Sequence, residues 1–483
     1  MTLDPDHCYK AIQARDSRFD GRFFVGVSST GIYCRPICRV RIPKRENCSY
    51  HASAAAAEQL GFRPCLRCRP ELAPGWAGVD AEHRLAQHAA TLIEGGEFDQ
   101  GGVEAVAIKL GTSARHLRRV FAAQFGVSPV DFAQTHRMLL AKQLLTDTAM
   151  PVTDVAFAAG FGSLRRFNTL FRSRYRLSPT QLRGAAQAGV SDRLVFKLAY
   201  RQPLDWTRLL AFLGNRSIEG VESAGEQHYR RTVRVARLPV NGAAPPSAIG
   251  WVSVKPIKLR GIVQIEIATS LAAVVPRLLA RLRHLFDLDG SPHEVAEGLG
   301  ELALGREGLR LPGAFDGFEI AVRAVLGQQI TVKAARTLAG RFARRFGHAI
   351  ETPYPELDCV FPEAAVIAQL ELGDIAQLGI IATRSKTIIA LARALAEGRL
   401  QLDPSQPVET TIAALRALPG IGDWTAQYIA MRALAWPDAF PASDYGVMKA
   451  LAVDKPAQAI RLAEAWRPWR AYAVMHLWAS LES

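Results

Sequence analysis

The pattern of apolar and polar positions changes several times along the chain. Residues 23–33 contain two short apolar runs, and residues 229–235 and 262–267 alternate between apolar and polar side chains, which is typical of strands. Residues 80–185, and nearly all of the chain after residue 311, instead carry apolar residues at helical spacings. The pattern therefore predicts a mainly α protein with two smaller α+β parts.

Two helical units in the second part have the same plan. They occupy residues 103–129 and 152–179, with turns at Gly111 and Gly160. Each consists of a helix, a glycine turn and a second helix, which is the plan of a helix-turn-helix. The alternative is a helical bundle with a solvated basic face, but the repetition favours two DNA-reading units.

These changes in pattern predict a multidomain fold of four parts. They are a small α+β domain at residues 1–77, an all-α domain at 80–185, a second α+β domain at 191–305 and an all-α domain at 306–483.

Charge and composition indicate which kinds of partner the protein binds. The net charge is +14, and Lys and Arg are spread over the whole chain, which suggests several faces that meet a polyanion such as double-stranded DNA. No apolar run approaches the length of a membrane span, and the first residues do not resemble a signal peptide. We therefore expect a cytoplasmic, nucleoid-associated monomer that contacts no membrane.

Six of the seven cysteines lie in the first 68 residues. Four of them form two close pairs, Cys34 with Cys38 and Cys65 with Cys68, a spacing typical of a tetrahedral zinc site. Spacing alone would favour a purely structural zinc knuckle. We expect one Zn²⁺ bound by these four thiolates.

The residues around both pairs resemble the N-terminal domain of the Ada adaptive-response protein. They are residues 23–36, which lead into the first pair, and residues 61–65, which lead into the second. The resemblance implies that Cys34 is both a ligand and a nucleophile, which takes a methyl group irreversibly from a DNA methylphosphotriester. The family's DNA contacts would fall on Thr30, Arg39, Arg41 and Arg63.

The helix-turn-helix units, each closed by a Ser-Pro pair, resemble the AraC family of activators. The resemblance implies that the second helix of each unit enters the major groove and that RNA polymerase is a partner. The candidate groove-facing residues are Ser113, Arg115, His116, Arg119, Ser163, Arg165, Arg166 and Asn168.

A Leu-Pro-Gly-Ile-Gly segment at residues 418–422 predicts a tight hairpin between two helices, the second starting near Asp423. Amides at Gly420, Gly422 and a helix N-terminus point outward and attract a phosphate oxygen, so we expect this hairpin to hold a DNA backbone without reading bases. The alternative is an ordinary turn between core helices.

Asp444 follows the hairpin in the sequence. The same stretch of chain supplies three aromatic residues, Trp424, Tyr428 and Trp478. A carboxylate surrounded by aromatic rings suits a flat, cationic alkylated purine whose sugar develops positive charge. Each feature has an ordinary alternative, since Asp444 could be only a helix N-cap and the rings could be core filler. Their joint occurrence in this order favours the functional interpretation.

The C-terminal stretch, from about residue 194, resembles the helix-hairpin-helix DNA glycosylases of the 3-methyladenine DNA glycosylase II (AlkA) type. The resemblance implies that Asp444 is the catalytic carboxylate and that Trp424, Tyr428 and Trp478 line the base pocket. Trp424 stands where some relatives carry a Schiff-base lysine, which implies a monofunctional glycosylase without lyase chemistry.

Three further expectations follow from the same resemblance. Gln329 occupies the position of a DNA-inserting leucine wedge, and its polarity puts the base-flipping mechanism in question. Carbonyl groups of Arg416, Leu418 and Ile421 would bind a monovalent cation at the hairpin. This half contains only Cys359, which excludes a four-cysteine iron–sulfur cluster.

The sequence thus predicts a bifunctional protein, an adaptive-response transcriptional activator joined to a DNA repair enzyme. Cys34 would accept methyl groups, and Asp444 would serve hydrolysis of the N-glycosidic bond of bases such as 3-methyladenine. The alternative is a non-enzymatic, alkylation-responsive transcription factor whose C-terminal half only docks on DNA.

Overall fold

A computed structural model describes residues 3–74, 81–183, 193–237, 245–257 and 261–481. The domain boundaries predicted between residues 77 and 80 and between 185 and 191 lie outside these ranges. Within them no helix is both long enough and apolar enough to cross a bilayer.

Residues 3–74 form a small α+β unit around a four-stranded sheet. Its elements are α1 (Pro5–Ala14), β1 (Phe24–Val27), β2 (Ile32–Cys34), β3 (Cys48–His51), α2 (Ala54–Gln59) and β4 (Arg63–Pro64). The strand order is β3-β1-β2-β4, and only β2 and β4 run parallel. Both of these strands lead directly into a cysteine of the predicted zinc site.

Residues 81–183 are all helical. The helices are α3 (Ala81–Glu94), α4 (Gly102–Lys109), α5 (Ala114–Phe125), α6 (Pro129–Asp147), α7 (Val152–Ala158), α8 (Leu164–Tyr175) and α9 (Pro179–Arg183). Ser113 and Ser163 cap α5 and α8 by accepting hydrogen bonds from backbone N–H groups three residues on. Phe121 and Phe171 are fully buried and hold these two helices to the interior. The two predicted helix–turn–helix units are therefore confirmed.

The third part is built on a five-stranded antiparallel sheet. Its elements are β5 (Arg193–Ala199), α10 (Trp206–Gly214), β6 (Glu222–Ala224), β7 (Tyr229–Val235), β8 (Ala248–Ile257), β9 (Ile262–Ala268), α11 (Val275–Leu285) and α12 (Pro292–Leu299). The strand order is β5-β9-β8-β7-β6. The strands predicted at residues 229–235 and 262–267 lie in this sheet.

The last part is almost entirely helical, as the pattern predicts. Its elements are α13 (Gly317–Leu326), α14 (Val332–Phe346), β10 (His348–Ala349), β11 (Cys359–Val360), α15 (Ala364–Ile367), α16 (Leu372–Ala376), α17 (Ala382–Ala396), α18 (Val408–Arg416), α19 (Asp423–Ala433), α20 (Tyr445–Ala450), α21 (Pro456–Ala463) and α22 (Arg470–Ser480). The predicted hairpin joins α18 to α19. The two-residue strands β10 and β11 pair with each other and depart from the helical pattern.

A single apolar core joins the second and third parts. Buried residues of α6, α7 and α8, such as Leu144 and Phe171, belong to the same cluster as Phe196 of β5 and Val252 of β8. The side chain of Gln143 on α6 also donates a hydrogen bond to the carbonyl of Lys197 on β5, at 3.1 Å. The second helix-turn-helix unit and the sheet are thus packed as one body.

The first and second parts meet at a buried carboxylate. Glu58 of α2 accepts hydrogen bonds from the hydroxyl of Tyr33 on β2 (3.0 Å), from Thr135 of α6 (3.2 Å) and from Arg174 of α8 (3.2 Å). Glu58 is 5% exposed, and burial raises its pKa to about 7 although Arg174 opposes the shift. The zinc-site strand β2 and the C-terminal end of α8 therefore share one partner.

Candidate functional site

Asp444 lies at a cavity of about 1090 Å³ that also has Trp424, Tyr428, Trp478 and Gln329 in its wall. The structure therefore brings together all the residues that the sequence proposes for the base pocket. Asp444 is neither fully exposed nor enclosed in the core, so its carboxylate is accessible from the cavity.

Three N–H groups fix the orientation of the Asp444 carboxylate. Oδ1 accepts hydrogen bonds from the indole of Trp478 (2.8 Å) and from the backbone N–H of Val447 (3.0 Å). Oδ2 accepts one from the indole of Trp424, at 3.0 Å. The Val447 contact makes Asp444 the N-cap of α20, so the ordinary role and the proposed one coexist in a single side chain.

The rings of Trp424, Tyr428 and Trp478 line the cavity, and they take part in two stacked pairs. Trp424 stacks on Tyr428, with ring centroids 5.4 Å apart and an interplanar angle of 13°. Trp478 lies nearly parallel to Phe212 of α10, at 6.2 Å and 16°. Gly446 lies under Trp478, and a Cβ there would come within 2.9 Å of the indole ring. Flat walls of this kind suit a flat ring inserted between them.

Arginines surround the phenol of Tyr428. Arg432 donates a hydrogen bond to its oxygen at 2.9 Å, and Arg216 lies over the ring of Phe212 at 3.8 Å. Burial alone would raise the pKa of Tyr428, but Arg432, Arg216 and Arg323 outweigh burial and lower it. Because Arg432 uses a lone pair of the phenol, the phenolic O–H remains able to donate toward the cavity.

The hairpin between α18 and α19 uses its two glycines differently. Gly420 has a φ of +79°, and a Cβ there would lie 2.1 Å from the hydroxyl of Thr387 on α17. Gly422 is exposed and serves as the N-cap of α19. Its φ of −87° is not left-handed, so its conformation does not require glycine. Leu418 accepts the backbone N–H of Ile421 at 3.3 Å. The cation site at this hairpin stays a prediction.

The turn between α13 and α14 lies at the same cavity. Gln329 is exposed there with a φ of +55°, a conformation that residues other than glycine rarely adopt. Its neighbour Gln328 donates from its side-chain amide to the carbonyl of Gly420 (3.0 Å) and to the hydroxyl of Thr425 (2.9 Å). Arg384 of α17 donates to the backbone carbonyl of Gln328.

The four predicted zinc ligands meet in the first part of the chain. The sulfur atoms of Cys34, Cys38, Cys65 and Cys68 all lie within 4.8 Å of one another. Zn–S distances of ~2.3 Å place the sulfurs of a tetrahedral site about 3.8 Å apart, so the cluster has the size that zinc requires. The backbone N–H of Arg35 also donates to the sulfur of Cys68, at 3.4 Å. These cysteines are the ligand set for one Zn²⁺.

The candidate DNA contacts around this cluster lie at the surface. Thr30, Arg39 and Arg41 are exposed, and Arg63 is half-buried on β4. Among the described residues, none of the three arginines forms an ion pair with a carboxylate.

The candidate groove-facing residues lie at the starts of α5 and α8. Arg115, His116, Arg165 and Arg166 are exposed there, whereas Asn168 is half-buried. Arg119 is exposed as well and donates to the ring of His116 at 3.2 Å. The side-chain oxygens of Ser113 and Ser163 each accept a backbone hydrogen bond from their own helix, and the O–H group of each remains able to donate.

Sequence patterns missed four residues of the cavity region. Phe212 and Arg216 come from the third part of the chain, far in sequence from Asp444, and Arg323 and Arg432 lie on α13 and α19. Arg216 and Arg323 line the cavity, whereas Phe212 and Arg432 contact Trp478 and Tyr428 of its wall. The sequence could have indicated Arg323 and Arg432, because each is a charged residue on an otherwise apolar helix face.

Comparison with known proteins extends this description to the whole chain. Four family models match it: "Metal binding domain of Ada" at residues 7–71, "Helix-turn-helix domain" at 106–185, "AlkA N-terminal domain" at 195–316, and "HhH-GPD superfamily base excision DNA repair protein" at 322–467.

Three curated relatives cover the same parts. The DNA-3-methyladenine glycosylase 2 of Escherichia coli K12 is 35% identical over 59% of this chain and 96% of its own length. The bifunctional transcriptional activator/DNA repair enzyme Ada of the same organism is 37% identical over 33% of this chain and 43% of its own. The probable bifunctional transcriptional activator/DNA repair enzyme AlkA of Mycobacterium tuberculosis H37Rv is 38% identical over 100% of this chain and 97% of its own. The chain therefore belongs to the family of bifunctional transcriptional activators and DNA repair enzymes that join an Ada-type metal-binding domain to an AlkA-type glycosylase.

Proposed function

We propose that this chain excises alkylated bases from DNA at the Asp444 cavity and reports methylation of the DNA backbone through Cys34. The supporting observation for excision is the carboxylate of Asp444, held by two indole N–H groups at the wall of an aromatic cavity. The helix-turn-helix units would place the protein at promoters and present it to RNA polymerase.

Excision would use Asp444 in two ways. A flipped purine that carries an alkyl group is cationic, so the N-glycosidic bond breaks without an acid and leaves an oxocarbenium sugar. The ionised carboxylate stabilises this charge and can accept a proton from the attacking water. Oδ1 already accepts two hydrogen bonds and Oδ2 one, so Oδ2 has the free lone pair for this role.

Substitution of the carboxylate tests this proposal. Asp444→Asn keeps the cap of α20 and removes the negative charge, so base release from DNA with 3-methyladenine is expected to fall by roughly 100-fold or more. The measurement is single-turnover release of free base, together with binding to DNA that contains a stable abasic-site analogue. Asp454→Asn changes an exposed carboxylate outside the cavity and serves as the matched control.

Two results would contradict the excision proposal. One is a wild-type protein that binds alkylated DNA but releases no base, which would favour the non-enzymatic transcription factor. The other is an Asp444→Asn variant as active as the Asp454→Asn control.

Methyl transfer would occur at the cysteine cluster. Bound zinc keeps the cysteines as thiolates at neutral pH. The sulfur of Cys34 attacks the methyl carbon of a methylphosphotriester, the C–O bond breaks, and an ordinary phosphodiester anion leaves. Cys34 becomes a methyl thioether, so each protein reacts once.

Mass spectrometry separates this proposal from a structural zinc knuckle. Incubation with DNA that contains methylphosphotriesters is expected to add one methyl group to the wild type, at the peptide that contains Cys34. Cys34→Ser should gain none, whereas Cys48→Ser, outside the ligand set, should gain it normally. A methyl group on any other residue, or none on the wild type, contradicts the proposal.

The same reaction would change DNA affinity. Four thiolates on Zn²⁺ carry a net charge of about −2, and conversion of one to a thioether leaves about −1. Loss of negative charge beside exposed Arg39 and Arg41 should strengthen binding to the phosphate backbone, more at low salt. Equal affinities of methylated and unmethylated protein for operator DNA at several salt concentrations would contradict this charge effect.

A further inference from the structure

The turn that precedes α14 has a conformation that its own sequence does not favour. Gln329 stands in the left-handed region at a φ of +55°, and no glycine occupies that position. Gln329 is exposed at the cavity, so burial in the core does not impose this conformation. The restraint must therefore come from neighbouring residues.

Gln328 supplies this restraint through three separate elements. Its side-chain nitrogen donates to the carbonyl of Gly420 at 3.0 Å and to the hydroxyl of Thr425 at 2.9 Å, which uses both amide hydrogens. A backbone carbonyl can only accept, so the Gly420 contact fixes which end of the amide faces the hairpin. The backbone oxygen of Gln328 is held by Arg384 of α17.

These contacts connect the parts of the proposed site. Gly420 belongs to the hairpin that would hold the DNA backbone. Thr425 follows Trp424, whose indole holds Oδ2 of Asp444. Gln328 therefore lies between the hairpin, the support of the carboxylate, and the residue that would enter the base stack.

We propose that Gln328 is a positioning residue for base flipping, which fixes Gln329 relative to the hairpin and to Asp444. The proposal rests on the proposed glycosylase function. When the hairpin engages the backbone, the hydrogen bond to Gly420 sets how far Gln329 reaches into the duplex. Gln329 is polar and cannot fill the gap by apolar contact, so its position relative to the orphaned base decides how well it can hydrogen-bond there.

Gln328→Met tests the proposal, because methionine keeps the length of the side chain and lacks both donors. Two substrates separate positioning from a general loss of structure: a lesion in a normal base pair, and the same lesion opposite an abasic site, where no pair has to be broken. We expect Gln328→Met to release the paired lesion at least about tenfold more slowly and the unpaired lesion within about threefold of wild type. Gln369→Met, an exposed substitution outside the cavity, is the control.

A second measurement does not depend on base release. DNA with 2-aminopurine next to the lesion site brightens when the stack opens, and wild-type protein is expected to raise this fluorescence more than Gln328→Met at saturating protein. The proposal is overturned if the variant matches wild type in this signal, or if it loses activity on both substrates equally. Absence of base release by wild type would instead reject the glycosylase function, and the fluorescence comparison would still decide the role of Gln328.

Discussion

At the scale of single residues, the carboxylate of Asp444 depends on donors that are themselves part of the cavity wall. The indole of Trp478 has an apolar face toward Phe212 and an N–H toward Oδ1. The Trp478 side chain thus forms part of the pocket wall and also orients the Asp444 carboxylate. A substitution can separate these two effects.

Trp478→Phe keeps an aromatic ring and removes the donor to Oδ1. The carboxylate then loses one of its three restraints, and misorientation of a catalytic group by about 1 Å can cost up to 100-fold, so we expect base release to slow by roughly 10- to 100-fold. Single-turnover kinetics and binding to abasic-site DNA provide the measurement. Trp466→Phe, outside the cavity, is the matched control, and equal rates for the two variants would show that the indole N–H is dispensable.

Sequence reasoning reached the chemical groups of this site but not all of its wall. Asp444 and Trp424 lie close to the hairpin in the sequence, so their residue types and their order were enough to predict them as site residues. Arg216 reaches the cavity, and Phe212 packs against Trp478 of its wall, only because the third part of the chain folds against the last one. No periodicity in α10 distinguishes a side chain that supports a cavity wall from one that fills a core.

At the scale of elements, the junction of α2 and α8 joins the zinc-site unit to the second helix-turn-helix unit. Glu58 is buried between Tyr33 and Arg174. Burial raises its pKa from 4.5 to about 7, so its contribution to stability is greatest below pH 4.5 and is lost as the pH rises through about 7. Arg174, together with Lys142, limits this loss because a positive charge favours the ionised form.

Arg174→Met removes the principal ion-pair partner of Glu58. We expect it to lower the free energy of unfolding by about 2–4 kcal/mol at pH 8, because a buried carboxylate is left without its cation. The deficit should shrink at pH 6, where Glu58 is protonated and needs no cation. Denaturant unfolding at both pH values measures this, with Arg172→Met, an exposed substitution two residues away on the same helix, as the control. A deficit independent of pH would show that Glu58 is not the group involved.

The hairpin and its two helices could be predicted from local sequence. The junctions between units could not, because they depend on residues that are distant in the sequence. The Leu-Pro-Gly-Ile-Gly segment specifies a turn by itself, and α18 and α19 flank it as expected. Glu58, by contrast, looks like an ordinary polar residue near the end of a short helix. Its burial depends on Thr135 and Arg174, which are more than seventy residues away.

At the scale of the whole molecule, the shared core makes stability a property of more than one domain. Buried residues of α6 and α8 belong to the same cluster as those of β5 and β8. A cavity made on the sheet side should therefore weaken the helical side as well.

Phe196→Ala on β5 is expected to cost about 3–5 kcal/mol and to raise amide hydrogen exchange in α6 and α8 as well as in the sheet. Leu415→Ala on α18 is equally buried but belongs to a different apolar cluster, formed mainly by the last part of the chain, so its effect should not extend to α6 and α8. Hydrogen exchange with mass spectrometry distinguishes the two patterns. Unchanged exchange in α6 and α8 of Phe196→Ala would show that the helix-turn-helix part folds independently.

The apolar core shared by α6, α8 and the sheet also affects how the protein is degraded in a cell. Cellular proteases degrade a chain from whichever region opens first, and here the opening of one partner exposes the other. The regulator and the excision enzyme would then be cleared at one rate, so a cell could not retain one after the damage is gone while discarding the other.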